Sequence, residues 1–203
     1  MNAFETRTAS WKLDYPTIDD LRKRAHRRTP RFAFDYVDGA AGAEEQNMKT
    51  NAAALDAVEI VPRYGVENFA ANPETEIFGH TYAMPVGIAP MGIPSLVLPG
   101  GEKDFARAAQ DRNIPLVLGG VAGATVEECA ALAPDNLWFQ LYRVAKDELA
   151  VNLDMARRAQ EAGVHVLVLT LDVPARTKRP RELRARLTIP YRHSVQTVSE
   201  VLK

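Results

Sequence analysis

Four apolar runs recur in the second half of the chain, and each is followed by a stretch with helical periodicity. In each run the hydrophobic residues come first, and glycine, glutamine, tyrosine, threonine or aspartate stands at the carboxyl end. A continuous apolar run of this length before a helix is typical of a parallel strand that is buried on both faces. The pattern predicts four βα units, with strands in the runs Val86–Gly92, Pro115–Gly120, Leu137–Tyr142 and Val166–Asp172.

The helices of these units are predicted from their apolar spacing and their capping residues. Thr125 and Glu128, three residues apart, are predicted to form a capping box at the start of one helix. A further helix is expected to begin at Ser194. The helices between the strands are expected at Gly101–Arg112, Thr125–Ala133 and Lys146–Ala162.

The segment before the first βα unit is predicted to hold three helices and two short strands. Thr17 and Asp20 predict a capping box at the start of a short basic helix that ends near Arg27. A turn at Gly79-His80 is expected to direct the second strand towards Tyr82. The other elements are expected at Pro30–Asp38, Glu44–Ala57, Glu59–Val61 and Thr75–Phe78.

Two architectures suit four parallel strands, namely a small doubly wound sheet or half of an eight-stranded barrel. A doubly wound sheet is expected to carry a G-x-G-x-x-G turn after its first strand, and Pro90–Pro94 has no such pattern. The interpretation is therefore an α/β fold, the N-terminal half of a (β/α)8 TIM barrel preceded by a small helical segment. We expect one partial domain over 1–203, with the helical segment at 1–84 and the βα units at 85–203.

Composition and charge exclude several classes of protein. The net charge of -1 provides no field that would recruit nucleic acid. The single cysteine, Cys129, excludes an intrachain disulfide, and its apolar helical stripe predicts that it is buried. No apolar run approaches the roughly 20 residues that span a bilayer. The segment Met1–Asp14 does not contain the apolar run that is typical of a secretory signal peptide, so a cytoplasmic location is expected.

Four segments, in this order and at this spacing, resemble the FMN-dependent α-hydroxy acid oxidising family, which includes glycolate oxidase, lactate oxidase and mandelate dehydrogenase. The segments are Phe34–Ala40, Met84–Pro90, Trp138–Tyr142 and Leu169–Pro174. The resemblance implies FMN as cofactor, a small (S)-2-hydroxy acid as substrate, the 2-oxo acid as product, and a homo-oligomer. It implies no metal site and no nucleic-acid partner.

The resemblance also implies residues that contact the substrate. A guanidinium can fork onto a carboxylate, and a phenol donates a hydrogen bond without adding charge. The implied set is Tyr36, Tyr142, Asp172 and Arg179. The residues alone favour an interior packing role for Tyr36, and they allow Arg179 to be a solvated residue of a basic loop. Arg176 and Arg181 are alternatives for the carboxylate clamp.

The implied flavin contacts lie at the ends of the predicted strands. They are Ala89, Pro90, Met91, Gly92, Gly119, Gln140 and Thr170. An amide and a hydroxyl suit the flavin's polar edge, which presents donors and acceptors. Several positions depart from the family. Relatives commonly have a hydroxyl residue at Met91, alanine at Gly92, a serine at Gly119 and an acidic residue at Pro180. Val121 replaces the bulky aromatic residue of several short-chain oxidases and favours a larger 2-hydroxy acid.

None of the histidines of this chain is expected to act as the catalytic base. The family uses a late histidine, and none of His26, His80, His165 and His193 is expected at the barrel mouth. The complementary C-terminal half of the barrel is therefore an expected partner. The alternatives are an enzyme divided after the fourth strand, a truncated half barrel, and a non-catalytic α/β module that binds an anionic ligand.

Overall fold

The computed structural model describes residues 13–65, 70–144, 147–171, 177–185 and 187. The chain divides into two compact units, which we call the helical unit and the sheet unit. The helical unit comprises Met1–Ile60 and Arg176–Lys203, and the sheet unit comprises Val61–Ala175. Each unit is described separately below.

The helical unit begins with the predicted basic helix. Helix α1 spans Ile18–Arg28 and is opened by the expected capping box. The Asp20 backbone N–H donates to the Thr17 hydroxyl at 3.2 Å, and the Thr17 N–H donates to the Asp20 carboxylate at 3.1 Å. The helix ends at Thr29, which is extended because a proline follows it.

The second and third predicted helices are also confirmed. Helix α2 spans Arg31–Asp38 and α3 spans Gln46–Asp56. Phe32 and Ala33 are the buried residues of α2. The predicted strand Glu59–Val61 is wrong, because this segment has no regular structure and its two apolar side chains are almost fully exposed.

The sheet unit starts with a β-hairpin at the predicted position. Strand β1 spans Thr75–Ile77, and β2 spans His80–Tyr82. The strands are antiparallel. The turn between them has positive φ at both Phe78 and Gly79, the geometry that matches the twist of a tight hairpin. The turn predicted towards Tyr82 is therefore confirmed.

A three-stranded parallel sheet forms the centre of the sheet unit. Its strands, in the spatial order β3-β4-β5, span Leu116–Leu118, Leu137–Tyr142 and Leu167–Thr170. The helices that accompany them are α4 at Gly101–Arg112, α5 at Val126–Ala130 and α6 at Ala150–Glu161. The capping box of Thr125 and Glu128 opens α5 as predicted. Helices α5 and α6 are shorter than expected, and a 3-10 turn at Asp147–Leu149 precedes α6.

The first predicted strand is present only as a short contact. The segment Val86–Gly92 pairs with β3 through one isolated parallel bridge between Ile88 and Leu116. Two hydrogen bonds hold it, from the Ile88 N–H to the Pro115 carbonyl at 2.8 Å and from the Val117 N–H to the Ile88 carbonyl at 2.9 Å. Proline has no N–H to donate, and prolines flank this segment on both sides. The direction of the predicted pairing is thus correct and its length is wrong.

The core of the sheet unit lies between the sheet and its helices. One face of β3 and β4 buries Leu116, Leu118, Leu137 and Phe139 against alanine-rich helix surfaces. Cys129 of α5 belongs to this core and is fully buried, as predicted. Burial, and then the negative charge of Glu102, raises the pKa of the Cys129 thiol to about 11. A thiol of this kind is an inert packing residue.

The described part of the chain leaves the outer edge of β5 without a partner strand. Leu167 and Leu169 point to the helix-covered side of the sheet, yet they are 50% and 61% exposed. The fold is therefore α/β with a parallel sheet, and among the described residues nothing pairs with the outer edge of its last strand or covers the apolar side of that strand.

Helix α7, at Pro180–Arg184, completes the described elements and belongs to the helical unit. The segment expected to start a helix at Ser194 lies outside the described residues.

Candidate functional site

The carboxyl ends of β4 and β5 bring together two of the predicted flavin contacts. The Gln140 amide nitrogen donates a hydrogen bond to the Thr170 hydroxyl, and the amide oxygen accepts one from the Gly120 N–H at 3.1 Å. Gln140 is 4% exposed, so its orientation is fixed by these two bonds rather than by solvent. Because side chains alternate along a strand, both groups lie on the face opposite the hydrophobic core.

Two glycines at the end of β3 allow the backbone to pack closely. A Cβ atom on Gly119 would lie 2.6 Å from the Met91 carbonyl oxygen, and one on Gly120 would lie 2.7 Å from the Gln140 carbonyl oxygen. Both distances are too short for a real side chain, so the positions require glycine. Glycine at position 119, where relatives commonly have a serine, therefore has a physical reason. The backbone of Met91 occupies the space that a serine side chain would need.

The segment Ala89–Gly92 lies beside this glycine pair through the carbonyl of Met91. Ala89, Pro90 and Met91 are exposed. The predicted contacts Ala89, Pro90, Met91, Gly92, Gly119, Gln140 and Thr170 are thus neighbours at one end of the parallel sheet. Their contact with a flavin stays a prediction.

Tyr142 ends β4, two residues after Gln140, and is about one third exposed. Its main chain is held by Asn152 of α6, a residue that is only 8% exposed. The Asn152 amide donates to the Tyr142 carbonyl and accepts from the Val144 N–H at 2.8 Å. Sequence reasoning missed Asn152; the available signal was an asparagine within an otherwise apolar and charged helical stretch.

In the helical unit, the structure brings together two predicted substrate contacts that are far apart in sequence. Arg179 donates from Nη2 to the carbonyl oxygens of Tyr36 at 2.9 Å and Gly39 at 2.6 Å. Its guanidinium carbon lies 5.7 Å from the centre of the Tyr36 ring, and the side chain also pairs with Glu182. These carbonyls belong to the end of α2, where helix geometry leaves them without intrahelical partners.

Arg181, the alternative clamp, is occupied by a network of carboxylates. It donates to Asp38 at 2.6 Å and to Glu45, and Arg22 binds Asp38 from the other side at 2.5 Å. Hydrogen bonds from Arg22, and then from Arg181, hold the pKa of the Asp38 carboxyl below its ordinary value. Glu45, and then Asp38, raise the pKa of the Arg181 guanidinium. A guanidinium bound in this way is poorly placed to take a further anion.

A cavity of about 860 Å³ lies in the helical unit beside this network. Arginine, lysine and histidine side chains line it, together with three aspartates. Ion pairs join Lys23 to Asp19 at 2.6 Å and Arg31 to Asp35 at 3.5 Å. Arg27, another lining residue, donates to the Lys23 carbonyl at 3.3 Å. Because the lining cations outnumber the three aspartates, the alternative of a module that binds an anion stays a prediction.

Both described histidines of the sheet unit lie at the opposite end of the sheet from Thr170. The rings of His80 and His165 stack with centres 4.1 Å apart, and His165 comes just before β5. In the helical unit, His26 packs edge-on against Phe34 with ring centres 4.8 Å apart. The predicted site residue Asp172, the alternative clamp Arg176 and the fourth histidine His193 lie outside the described residues.

Comparison with known proteins gives one consistent result. A family model described as FMN-dependent dehydrogenase matches residues 25–203. An L-lactate dehydrogenase from Pseudomonas syringae pv. syringae (strain B728a) is 37% identical, over 86% of this chain and 45% of that protein. A 4-hydroxymandelate oxidase from Amycolatopsis orientalis is 33% identical, over 88% of this chain and 49% of that protein.

Solved structures with a similar fold carry related descriptions. A monotopic membrane protein, (S)-mandelate dehydrogenase, superposes with a TM-score of 0.80 at 31% identity, over 90% of this chain and 48% of that one. A mandelate oxidase superposes with a TM-score of 0.78 at 33% identity, over 86% of this chain and 50% of that one. The chain thus spans about half the length of the relatives it matches.

Proposed function

The chain belongs to the FMN-dependent dehydrogenase family, and we propose that it forms part of an enzyme that oxidises a small (S)-2-hydroxy acid to the 2-oxo acid with FMN. The observation that carries this proposal is the polar pair of Gln140 and Thr170 beside the glycines that end β3. Family membership and this chemistry agree on one cofactor.

The residues at the sheet end suit a flavin. The amide of Gln140 has a second N–H besides the one given to Thr170, and the Thr170 hydroxyl can both donate and accept. These groups would hold the polar edge of the ring, while the backbone at Met91 and Gly119 would lie against its face. When bound, FMN accepts the two electrons that the alcohol loses.

The substrate carboxylate is assigned to Arg179 and Tyr36. Nη2 of Arg179 is occupied by the carbonyls of Tyr36 and Gly39, and Nη1 pairs with Glu182. A guanidinium has five N–H donors, and the described residues occupy neither Nε–H nor one N–H of Nη1, so these two would bind a carboxylate. The main-chain bonds would keep this arginine rigid while it binds substrate.

The remaining substrate contacts follow the family pattern. Tyr142, with its main chain tied to Asn152, would steady the substrate hydroxyl, and Asp172 would orient groups at the strand end. Val121 is small and about half exposed, which leaves space for a bulky substituent. Relatives described as mandelate enzymes support an aryl-substituted 2-hydroxy acid.

We further propose that the active enzyme contains a complementary C-terminal half. An eight-stranded barrel would continue from the open edge of β5 and cover Leu167 and Leu169, which are now exposed. The catalytic histidine is assigned to that half, and the assembled enzyme is expected to be a homo-oligomer.

No helix within the described ranges is long and apolar enough to cross a bilayer. A cytoplasmic location stays a prediction, because one structural neighbour is described as a monotopic membrane protein.

The test uses the full-length protein that contains this chain. We expect flavin absorbance after purification, and reduction of an artificial electron acceptor with (S)-mandelate or (S)-lactate but not with the (R)-acids. Gln140→Leu should weaken FMN binding, whereas Gln110→Leu, which removes a half-buried side chain bonded to Asp135, should not. A protein that purifies without flavin and gains none from added FMN would exclude the proposed function.

A further inference from the structure

Helix α4 carries a buried carboxylate that the proposed chemistry does not use. Glu102, the second residue of α4, is 3% exposed. Among the described residues it is the one buried aspartate, glutamate, lysine, arginine or histidine, and no ion pair to it is found there. A carboxylate in the first turn is favoured by the helix dipole, but its burial remains costly unless hydrogen bonds compensate it.

The compensating hydrogen bonds come from two loops that follow neighbouring segments of the sheet. One carboxylate oxygen of Glu102 accepts from the Gly123 N–H at 2.8 Å and from the Ser95 N–H at 3.4 Å. Ser95 lies in the 3-10 turn that follows Ala89–Gly92, and Gly123 follows Gly119. A single oxygen atom therefore ties together the two loops that carry the backbone predicted to contact the flavin.

The loops also touch each other, which makes their spacing sensitive to this tie. A Cβ atom on Gly123 would collide with the Ser95 hydroxyl and would lie 3.2 Å from the Glu102 carboxylate. At the other end of the same loops, Gly119 packs against the Met91 carbonyl. A shift of either loop would thus change the backbone spacing between Met91 and Gly119.

We propose that Glu102 is a positioning residue, whose carboxylate holds the loops after Gly92 and Gly119 at the spacing that the flavin needs. The part of this inference that concerns flavin rests on the proposed function. Both donors are backbone N–H groups, so the task needs an acceptor oxygen at this place, which an apolar residue that merely fills space does not supply.

The experiment compares two conservative variants in the full-length protein. Glu102→Gln keeps the length and an acceptor oxygen but removes the charge, whereas Glu102→Asp keeps the charge and withdraws the oxygen by one carbon–carbon bond. The control is Asn136→Ala, which removes a side chain that is 1% exposed and bonded to Asn113 and the Ile114 carbonyl, away from both loops. The readouts are amide hydrogen exchange at Ser95 and Gly123, FMN affinity by fluorescence titration, and thermal stability.

A positioning role predicts that the oxygen's place matters more than its charge. In Glu102→Asp, exchange at Gly123 and the FMN dissociation constant should each rise about tenfold, the usual consequence of losing one good hydrogen bond. Glu102→Gln should stay closer to wild type in both readouts. Asn136→Ala should lower stability without changing either.

Three results would overturn the proposal. The first is unchanged hydrogen exchange at Gly123 in Glu102→Asp. The second is a larger change of exchange or FMN affinity in Glu102→Gln than in Glu102→Asp. The third is a loss of FMN affinity in Asn136→Ala as large as that in Glu102→Asp. If the wild-type protein binds no FMN, the proposed function and the flavin part of this inference both fail. Exchange at Gly123 then still decides whether Glu102 holds the loops.

Discussion

The ion-pair network around Arg181 in the helical unit gives a quantitative prediction. The structure identifies the hydrogen bonds that Asp38 and Glu45 would keep if Arg181 were replaced. Arg181→Met keeps most of the side-chain length but removes the guanidinium from Asp38 and Glu45. Asp38 would retain its bond to Arg22 at 2.5 Å, and Glu45 would retain the Ala40 N–H at 3.0 Å. Neither carboxylate would be left without a partner.

The loss in the free energy of unfolding caused by Arg181→Met should therefore lie between two limits. The lower limit is the loss of an exposed ion pair, and the upper limit is the removal of one partner of a buried pair. The side chains of Arg181 and Asp38 are 24% and 13% exposed. Exposed pairs contribute up to about 1 kcal/mol, and removal of one partner of a fully buried pair costs about 3–5 kcal/mol. For the Arg181–Asp38 pair we expect a loss of roughly 1.5–3 kcal/mol in the free energy of unfolding at pH 7.

The assay is urea unfolding of the full-length protein, followed by circular dichroism. Arg157→Met is the matched control, because Arg157 also lies between two carboxylates, Asp154 and Glu161, but is 56% exposed. We expect the control to lose at most about 1 kcal/mol. An equal loss in both variants, or no loss in Arg181→Met, would refute the assignment of a structural role to Arg181.

The pH dependence supplies a second check on the same network. The pKa values of Asp38 and Glu45 are lowered in the folded state, so the unfolded state binds more protons in acid. The stability that these pairs contribute is complete above about pH 5 and is lost as the pH falls through the folded-state values. The difference between wild type and Arg181→Met should therefore shrink towards about pH 3, and a constant difference would contradict the ion-pair explanation.

Three further predictions concern the proposed enzyme. In the full-length protein, Arg179→Met should raise the KM for 2-hydroxy acids by the equivalent of about 2–5 kcal/mol, and an unchanged KM would move the clamp elsewhere. Gly119→Ser should weaken FMN binding, because a Cβ atom there would lie 2.6 Å from the Met91 carbonyl oxygen; retained affinity by fluorescence titration would show that the loop can move. Residues 1–203 expressed alone should show no oxidation of 2-hydroxy acids above free flavin and should associate through the open edge of β5; measurable turnover would require a base within this chain.

The βα units were predictable where the hydrophobic pattern was uninterrupted. Leu137–Tyr142 and Gly101–Arg112 were predicted with the bounds that the structure has, because a strand buried on both faces and an amphipathic helix differ clearly in period. Val86–Gly92 has the same apolar content, yet adjacent prolines remove the donors that would extend its ladder. Glu59–Val61 failed for another reason, since no described element covers its apolar side chains.

The candidate site was predictable only in part. The hydrophobic pattern places Gln140 and Thr170 at the ends of neighbouring strands, but their role comes from the family resemblance. The choice of Tyr36 and Arg179 also comes from the resemblance, because they lie 143 residues apart. Glu102 and Asn152 were missed since both occur on helices, where polar residues usually face water. Each side chain is buried against a loop, and the hydrophobic pattern around a residue does not show that a loop will cover it.

If the proposed function holds, the anchoring of the loop after β3 would let substrate preference change while the proposed flavin contacts stay in place. The loop is held at Gly120 by Gln140 and at Gly123 by Glu102. Val121 lies between these two anchors with its side chain about half exposed. Because the backbone on both sides is bonded to buried polar groups, the size of residue 121 can vary without moving the main chain of Gly119. The groups proposed to bind the cofactor are thus separated, within one short loop, from the side chain proposed to select the substrate.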